Sequence, residues 1–160
     1  MAQQDYFLKI DGIQGESQDS KHKDEIELAS FSWGLTNVPS HAGGGGGRAD
    51  FHDFYFTAHT SKASPLLFLS CASGKHIKEA NLSVRRAGGG KGGQMEYLKI
   101  KLSDVLITSF QEAAGGGDAP AESVGIAFAR LELEYSPAHP GGAAAGSFKS
   151  GWDLAKNAKI

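Results

Sequence analysis

The sequence predicts a mainly β fold, a two-sheet barrel or sandwich that is closed or nearly closed, with one short α-helix packed on its side. Three observations carry that prediction. Apolar and polar residues alternate at period two in several segments, the pattern of half-buried strands. Two of these segments exchange their buried face midway, as a strand does when it is bulged or passes from one sheet to the other at a barrel corner. A single stretch carries the start and stop signals of a helix.

In chain order, Tyr6, Leu8 and Ile10 alternate with polar residues and define a first strand. Between Glu25 and Leu35 the phase slips: Ile26 and Leu28 lie on one face, Phe31, Trp33 and Leu35 on the other. Two strand-like segments, ASFSWGLTNV and FHDFYFTAHT, then flank the five-glycine run Gly43 to Gly47. SKASPLLFLSCAS, Ser61 to Ser73, has hydroxyl cap candidates, Pro65 in its first turn and Gly74 just beyond its end, the asymmetric signature of a helix. Its apolar residues cover more than one stripe, so it is expected to press on the barrel and to be partly covered elsewhere. Ala80, Leu82 and Val84, then Leu98, Ile100 and Leu102, define two further strands. A second slip separates Val124, Ile126 and Phe128 from Leu131, Leu133 and Tyr135. After the loop-like PAHPGGAAAG the tail FKSGWDLAKNAKI returns Trp152 in a polar setting, and such a tail is often docked on a neighbour or on the domain edge.

At 160 residues the chain is expected to be one domain, residues 1–160, long enough to bury a core without a staple. Cys71, the sole cysteine, sits in an apolar run and reads as a small buried thiol. A net charge of −2 argues against nucleic-acid binding, which calls for a basic footprint. No run is long enough to insert in a membrane, and the N-terminus lacks a charged region followed by an apolar one. The chain is therefore expected to be made in the cytosol and, if exported, to leave without a cleavable signal. Loops 38–50, 87–93, 113–120 and 136–149 are expected to be flexible, because 13 of the 22 glycines fall at 43–47, 88–93 and 115–117.

No catalytic, cofactor or metal site is expected. A phosphate loop needs Lys and Ser/Thr after its last glycine and then a helix, whereas Arg48-Ala49 and Gln94-Met95 follow here. The six histidines lack ligand spacing and read as isolated polar or edge residues. Ser32 lacks the glycine and the strand-to-helix elbow of a hydrolase nucleophile. Glu132 and Glu134 alternate with Leu131, Leu133 and Tyr135 as a solvated strand face does.

The stretches FLKIDGIQGES at 7–17, EIELASFSWGL at 25–35 before the polyglycine run, CASGKHIKEANLSVRRAGG at 71–89 and QMEYLKIKLSDVLITSF at 94–110 occur together in order. With FARLELEY at 128–135 and SGWDLAKN at 150–157, they make the chain resemble the Hcp (haemolysin-coregulated protein) family, the inner-tube protein of bacterial type VI secretion. The Gly- and Ala-rich loops at 113–119 and 141–146 depart from the family pattern. The resemblance implies a hexameric ring of barrels, stacked into a hollow tube that a contractile sheath expels from the bacterial cytoplasm. Implied partners are other copies of the chain, a VgrG-type tip protein, sheath and baseplate proteins, and secreted effectors carried in the lumen. The alternative is a soluble effector-binding carrier that forms no long tubes. Within this frame Ser30, Ser32 and Gly34 are expected to line the lumen, with Phe31 and Trp33 in the core. Ser40, His41, Gly43, Gly44, Gly45, Gly46, Gly47, Arg48 and Asp50 are expected to form the ring-stacking loop.

Overall fold

A computed structural model describes residues 4–39, 47–87, 94–137 and 146–160. The element order is β1 (Gln4–Ile10), β2 (Ile26–Glu27), β3 (Ser30–Ser32), β4 (Leu35–Asn37), β5 (Ala49–Phe51), β6 (Phe54–His59), α1 (Ser64–Ser73), β7 (His76–Ala87), β8 (Gln94–Ala113), β9 (Ala121–Ala127), β10 (Arg130–Tyr135), β11 (Phe148–Asp153) and β12 (Ala158–Lys159). The main sheet runs β12-β11-β10-β8-β7-β1-β2, and a branch leads from β8 through β9 and β6 to β3. All pairs are antiparallel.

Both predicted phase slips are corners. At the first, Ile26 pairs with Leu8 of β1, Leu28 N–H donates to Tyr6 O at 2.9 Å, and the next residue, Ala29, donates to Thr57 O at 2.8 Å. Within these residues the chain crosses from the β1 edge to the β6 edge and closes the barrel. At the second corner β8 pairs with β10 up to Ser103 and with β9 from Leu106. Asp104 adopts φ 52° at the bend, opposite the break between β9 and β10, where Ala129 N–H donates to Ser103 O at 3.0 Å. Each inward row is apolar, and Phe54, Phe56, Leu8, Ile100, Leu102 and Ile126 are at most 1% exposed.

The helix begins at Ser64, three residues later than expected. Ser61 Oγ accepts from Ala63 N–H at 3.2 Å and Ser64 Oγ from Ser61 N–H at 3.0 Å, so local side-chain bonds hold a tight turn in place of a first helical turn. Gly74, at φ 66°, ends the helix in the left-handed conformation. Leu67 is buried, whereas Leu66, Leu69 and Phe68, which stacks on Phe110, stay exposed. Cys71 is half-buried, more open than its apolar context suggested, because the helix lies on the surface of the barrel with only one face covered.

Ser64 also ties the helix to the barrel, its hydroxyl lying 2.7 and 2.9 Å from the two carboxylate oxygens of Glu122. Glu122 is 2% exposed and faces Glu112 across the strand pair. Burial foremost, with the Glu112 charge, pushes its carboxyl above the ordinary 4.5, against the hydrogen bonds from Ser64 and Thr60. A raised folded value means that this group's contribution to stability falls as pH rises from about 4.5 through that value. Glu122→Gln is expected to abolish this dependence and to leave stability at neutral pH equal or higher, read by urea denaturation at about pH 5 and about pH 7.5. Destabilisation beyond about 1.5 kcal/mol at neutral pH contradicts it.

Residues 11–25 form a strap across the outer face of β1 and β7. Gly15 lies against the backbone of Glu25, where a Cβ would come within 2.5 Å of the Glu25 carbonyl oxygen. The strap covers Phe7, which is 2% exposed although it lies on the outward face of an alternating strand. His22 stacks on one side of its ring at 4.4 Å, and the Arg85 guanidinium sits 4.7 Å from the ring centroid. His22 is therefore buried, not an isolated edge histidine. Its Nδ1 lies 3.0 Å from Glu25 and its Nε2 contacts Glu96.

Candidate functional site

β3 projects Ser30 and Ser32 outward, both exposed, and turns Phe31 inward, half-buried against Tyr6 and Phe54. Trp33 is likewise half-buried against the core. Gly34 lies beyond the end of β3, where its carbonyl accepts from His52 N–H at 2.9 Å. The register extends the two serines into two rows across four strands. Ser30 pairs with Thr57, Thr57 with Ser123, and Ser123 with Gln111. Ser32 pairs with Tyr55, Tyr55 with Gly125, and Gly125 with Ser109. Ser30 and Thr57 share a hydrogen bond of 2.6 Å.

These rows hold small hydroxyls, an amide, a glycine and one tyrosine, and no Asp, Glu, Lys, Arg or His. At their margin the Asp53 carboxylate accepts from Thr108 Oγ1 at 2.7 Å. The other sheet differs. Its outer face carries Lys99, Lys101, Glu132, Glu134 and Lys149, with ion pairs Lys149–Glu132 at 3.3 Å and Lys101–Glu79 at 3.5 Å. Solvated sheet faces are ordinarily charged in this way, so the uncharged face is the one that calls for a role.

Thr57, Tyr55, Ser123 and Ser109 were missed as candidates from sequence. Their alternation with Phe54, Phe56 and Val124 signals an outward face, but only strand register places them beside Ser30 and Ser32.

The expected stacking loop divides. Ser40, His41 and Gly43 to Gly46 lie outside the described residues. Gly47, Arg48 and Asp50 are placed on a two-stranded ribbon, in which Asn37 pairs with Ala49 and Thr36 with Asp50. Asn37 Nδ2 donates to Gly47 O at 2.9 Å, and a Cβ at Gly47 would sit 2.0 Å from Val38 O, so this position requires glycine. Arg48 Nη2 donates to Leu154 O at 3.2 Å, fastening the ribbon to the C-terminal segment. Between ribbon and sheet runs an apolar groove of about 570 Å³, lined by Trp33, Leu35, Phe51, Leu131, Leu133 and Trp152 among others. Trp152 thus docks on its own chain: in β11 it pairs with Leu131 of β10, and the tail is an added strand.

No group of three or more potential ligands suited to a metal ion occurs among the described residues, and no described helix is long and apolar enough to cross a membrane.

Comparison with known proteins agrees with this geometry. The family model described as "Type VI secretion system effector, Hcp" matches residues 7–135. Protein hcp1 of Pseudomonas aeruginosa is 39% identical over 158 residues, 96% of each chain. The crystal structure of Hcp1 from Salmonella typhimurium superposes with a TM-score of 0.79 at 36% identity, covering 100% of both chains. That of a type VI secretion system effector from Yersinia pestis gives 0.75 at 33%, covering 93% of this chain and 99% of the other. The chain therefore belongs to the Hcp family and is a structural subunit of the type VI secretion tube.

Proposed function

We propose that six copies of the chain, each one domain over residues 1–160, close a ring whose channel is lined by the uncharged face through Ser30 and Ser32, and that rings stack head to tail through the segment at Ser40 to Asp50. Gly34 borders that channel at the ribbon base. Two different surfaces of one subunit make heterologous contacts, which close a ring in one direction and continue as a filament in the other. A VgrG-type protein caps the tube, sheath and baseplate proteins surround it, and small secreted effectors travel inside. The loops at 38–50, 87–93, 113–120 and 136–149 settle against neighbours on assembly. The role needs neither catalysis nor a cofactor.

The observation that carries this reading is the asymmetry between an uncharged hydroxyl face and a charged one on a member of this family. A wall of small neutral side chains leaves room for cargo and offers it no ion pairs that would hold it in place.

Light scattering is expected to give six subunits, with rings in negative stain. Ser32→Arg is expected to keep the ring and to lower export of a co-expressed effector about tenfold. Unchanged export from intact rings overturns the luminal assignment, and a monomer that still binds effector favours the carrier reading.

A further inference from the structure

The two uncharged rows contain one large side chain. Tyr55 lies in the middle of the second row, between Ser32 and Gly125, and is 47% exposed, an uncommon position for an aromatic ring on a face otherwise made of hydroxyls. The neighbouring strand accommodates it. A Cβ on Gly125 would lie 3.0 Å from Tyr55 Cε1 and 2.5 Å from Ser109 Oγ, so glycine is the residue that lets the ring lie down along the sheet. The ring is thereby supported on the side of Gly125 while about half of the residue stays exposed.

Resting on the luminal reading above, we propose that Tyr55 is the cargo-discriminating residue of this face, a fixed aromatic platform that stacks on uncharged aromatic or apolar side chains of a transported polypeptide. The charge pattern selects that occupant. Neither row carries a lysine or arginine, so a nucleic-acid strand, which needs cations for its phosphates as well as rings for its bases, finds no counter-charge. Acidic and basic peptides likewise find no charged partner within the two rows, and the Asp53 carboxylate at their margin is engaged by Thr108 Oγ1. An uncharged segment gives up little hydration there, and an aromatic contact adds a directional preference. In a ring of six, one such platform per subunit faces a common channel, so contacts that are weak singly act together on one cargo.

The test uses the purified full chain and a fluorescein-labelled 12-residue peptide of Gly and Ser with three tryptophans, beside versions carrying glutamate or lysine in place of tryptophan. Fluorescence anisotropy is expected to show the tryptophan peptide binding below about 1 mM and the charged peptides binding at least about fivefold more weakly. Tyr55→Ala is expected to weaken the tryptophan peptide by about threefold to tenfold, and Tyr55→Phe, which keeps the ring, by less than about twofold. Gly125→Ala, which crowds the ring from below, reproduces part of the loss by a second route. Size-exclusion profiles equal to the parent confirm that each variant assembles. If Ser32→Arg weakens the peptide and Tyr55→Ala does not, the face receives cargo without Tyr55 and this proposal fails while the luminal reading stands. If neither variant changes binding, or the tryptophan peptide does not bind, the proposal fails; unchanged effector export by Ser32→Arg rings is what removes the luminal reading itself.

Discussion

Replacing Arg85 with alanine is expected to cost about 1.5–3 kcal/mol of unfolding free energy, the range for lost hydrogen bonds to charged groups. Arg85 is 6% exposed. Nη1 donates to Asp19 Oδ2 at 2.8 Å, Nη2 reaches the other oxygen of the same carboxylate, and Nε donates to Asp5 at 3.3 Å. Truncation leaves Asp19 without its bidentate partner and uncovers the face of Phe7 on which the guanidinium rests, so the 11–25 strap loses its hold on the barrel. Arg85→Lys is expected to recover little, because an ammonium cannot make the paired hydrogen bonds.

The same pair sets an acid limb. Arg85, through its hydrogen bonds foremost, holds the Asp19 carboxyl at about 2 against an ordinary 3.8, despite burial. A depressed value contributes stability that is complete above about 3.8 and is lost as pH falls toward about 2. Urea denaturation at about pH 7 and through about pH 4 to 2 measures both effects. A loss under about 1 kcal/mol for the alanine variant contradicts the strap's dependence on Arg85.

Shortening the loop between β4 and β5 is expected to abolish tubes while rings persist. Asn37 pairs with Ala49, so an Asn-Gly turn in place of residues 38–48 closes the ribbon with a two-residue hairpin and preserves its pairing. The deletion removes the glycine run and with it the surface assigned to the next ring. Ordering such a run costs roughly 1–2 kcal/mol per residue, so under the stacking proposal its loss is expected to spare the ring and to prevent the stack. Normal tubes from the shortened chain, seen by electron microscopy, would falsify the stacking assignment.

Much of this architecture is legible in the amino-acid order. Alternation located the strands, and the two slips marked the corners, because a strand that changes sheets must exchange its buried face. Pro65 and Gly74 bracketed the helix, although side-chain bonds from Ser61 and Ser64 moved its start. Ser30 and Ser32 were recognisable as small residues opposite Phe31 and Trp33. The Phe7 cluster was not legible. Alternation assigns Phe7 to solvent, and what buries it is a strap without periodicity whose His22 stacks on the ring and whose Asp19 meets an arginine 66 residues away.

The sequence by itself determined which residues alternate, where the buried face changes, where the helix stops, and which family the ordered motifs belong to, since all of these depend on spacing along the chain. The tertiary structure alone decided which outward faces adjoin: that Ser30 and Ser32 continue through Tyr55 and Gly125 into an uncharged surface, that Trp152 docks on its own sheet, and that Arg85 closes over Phe7. Register between distant strands is set by side-chain packing and backbone pairing across the barrel, and local periodicity carries no record of which strand lies beside which.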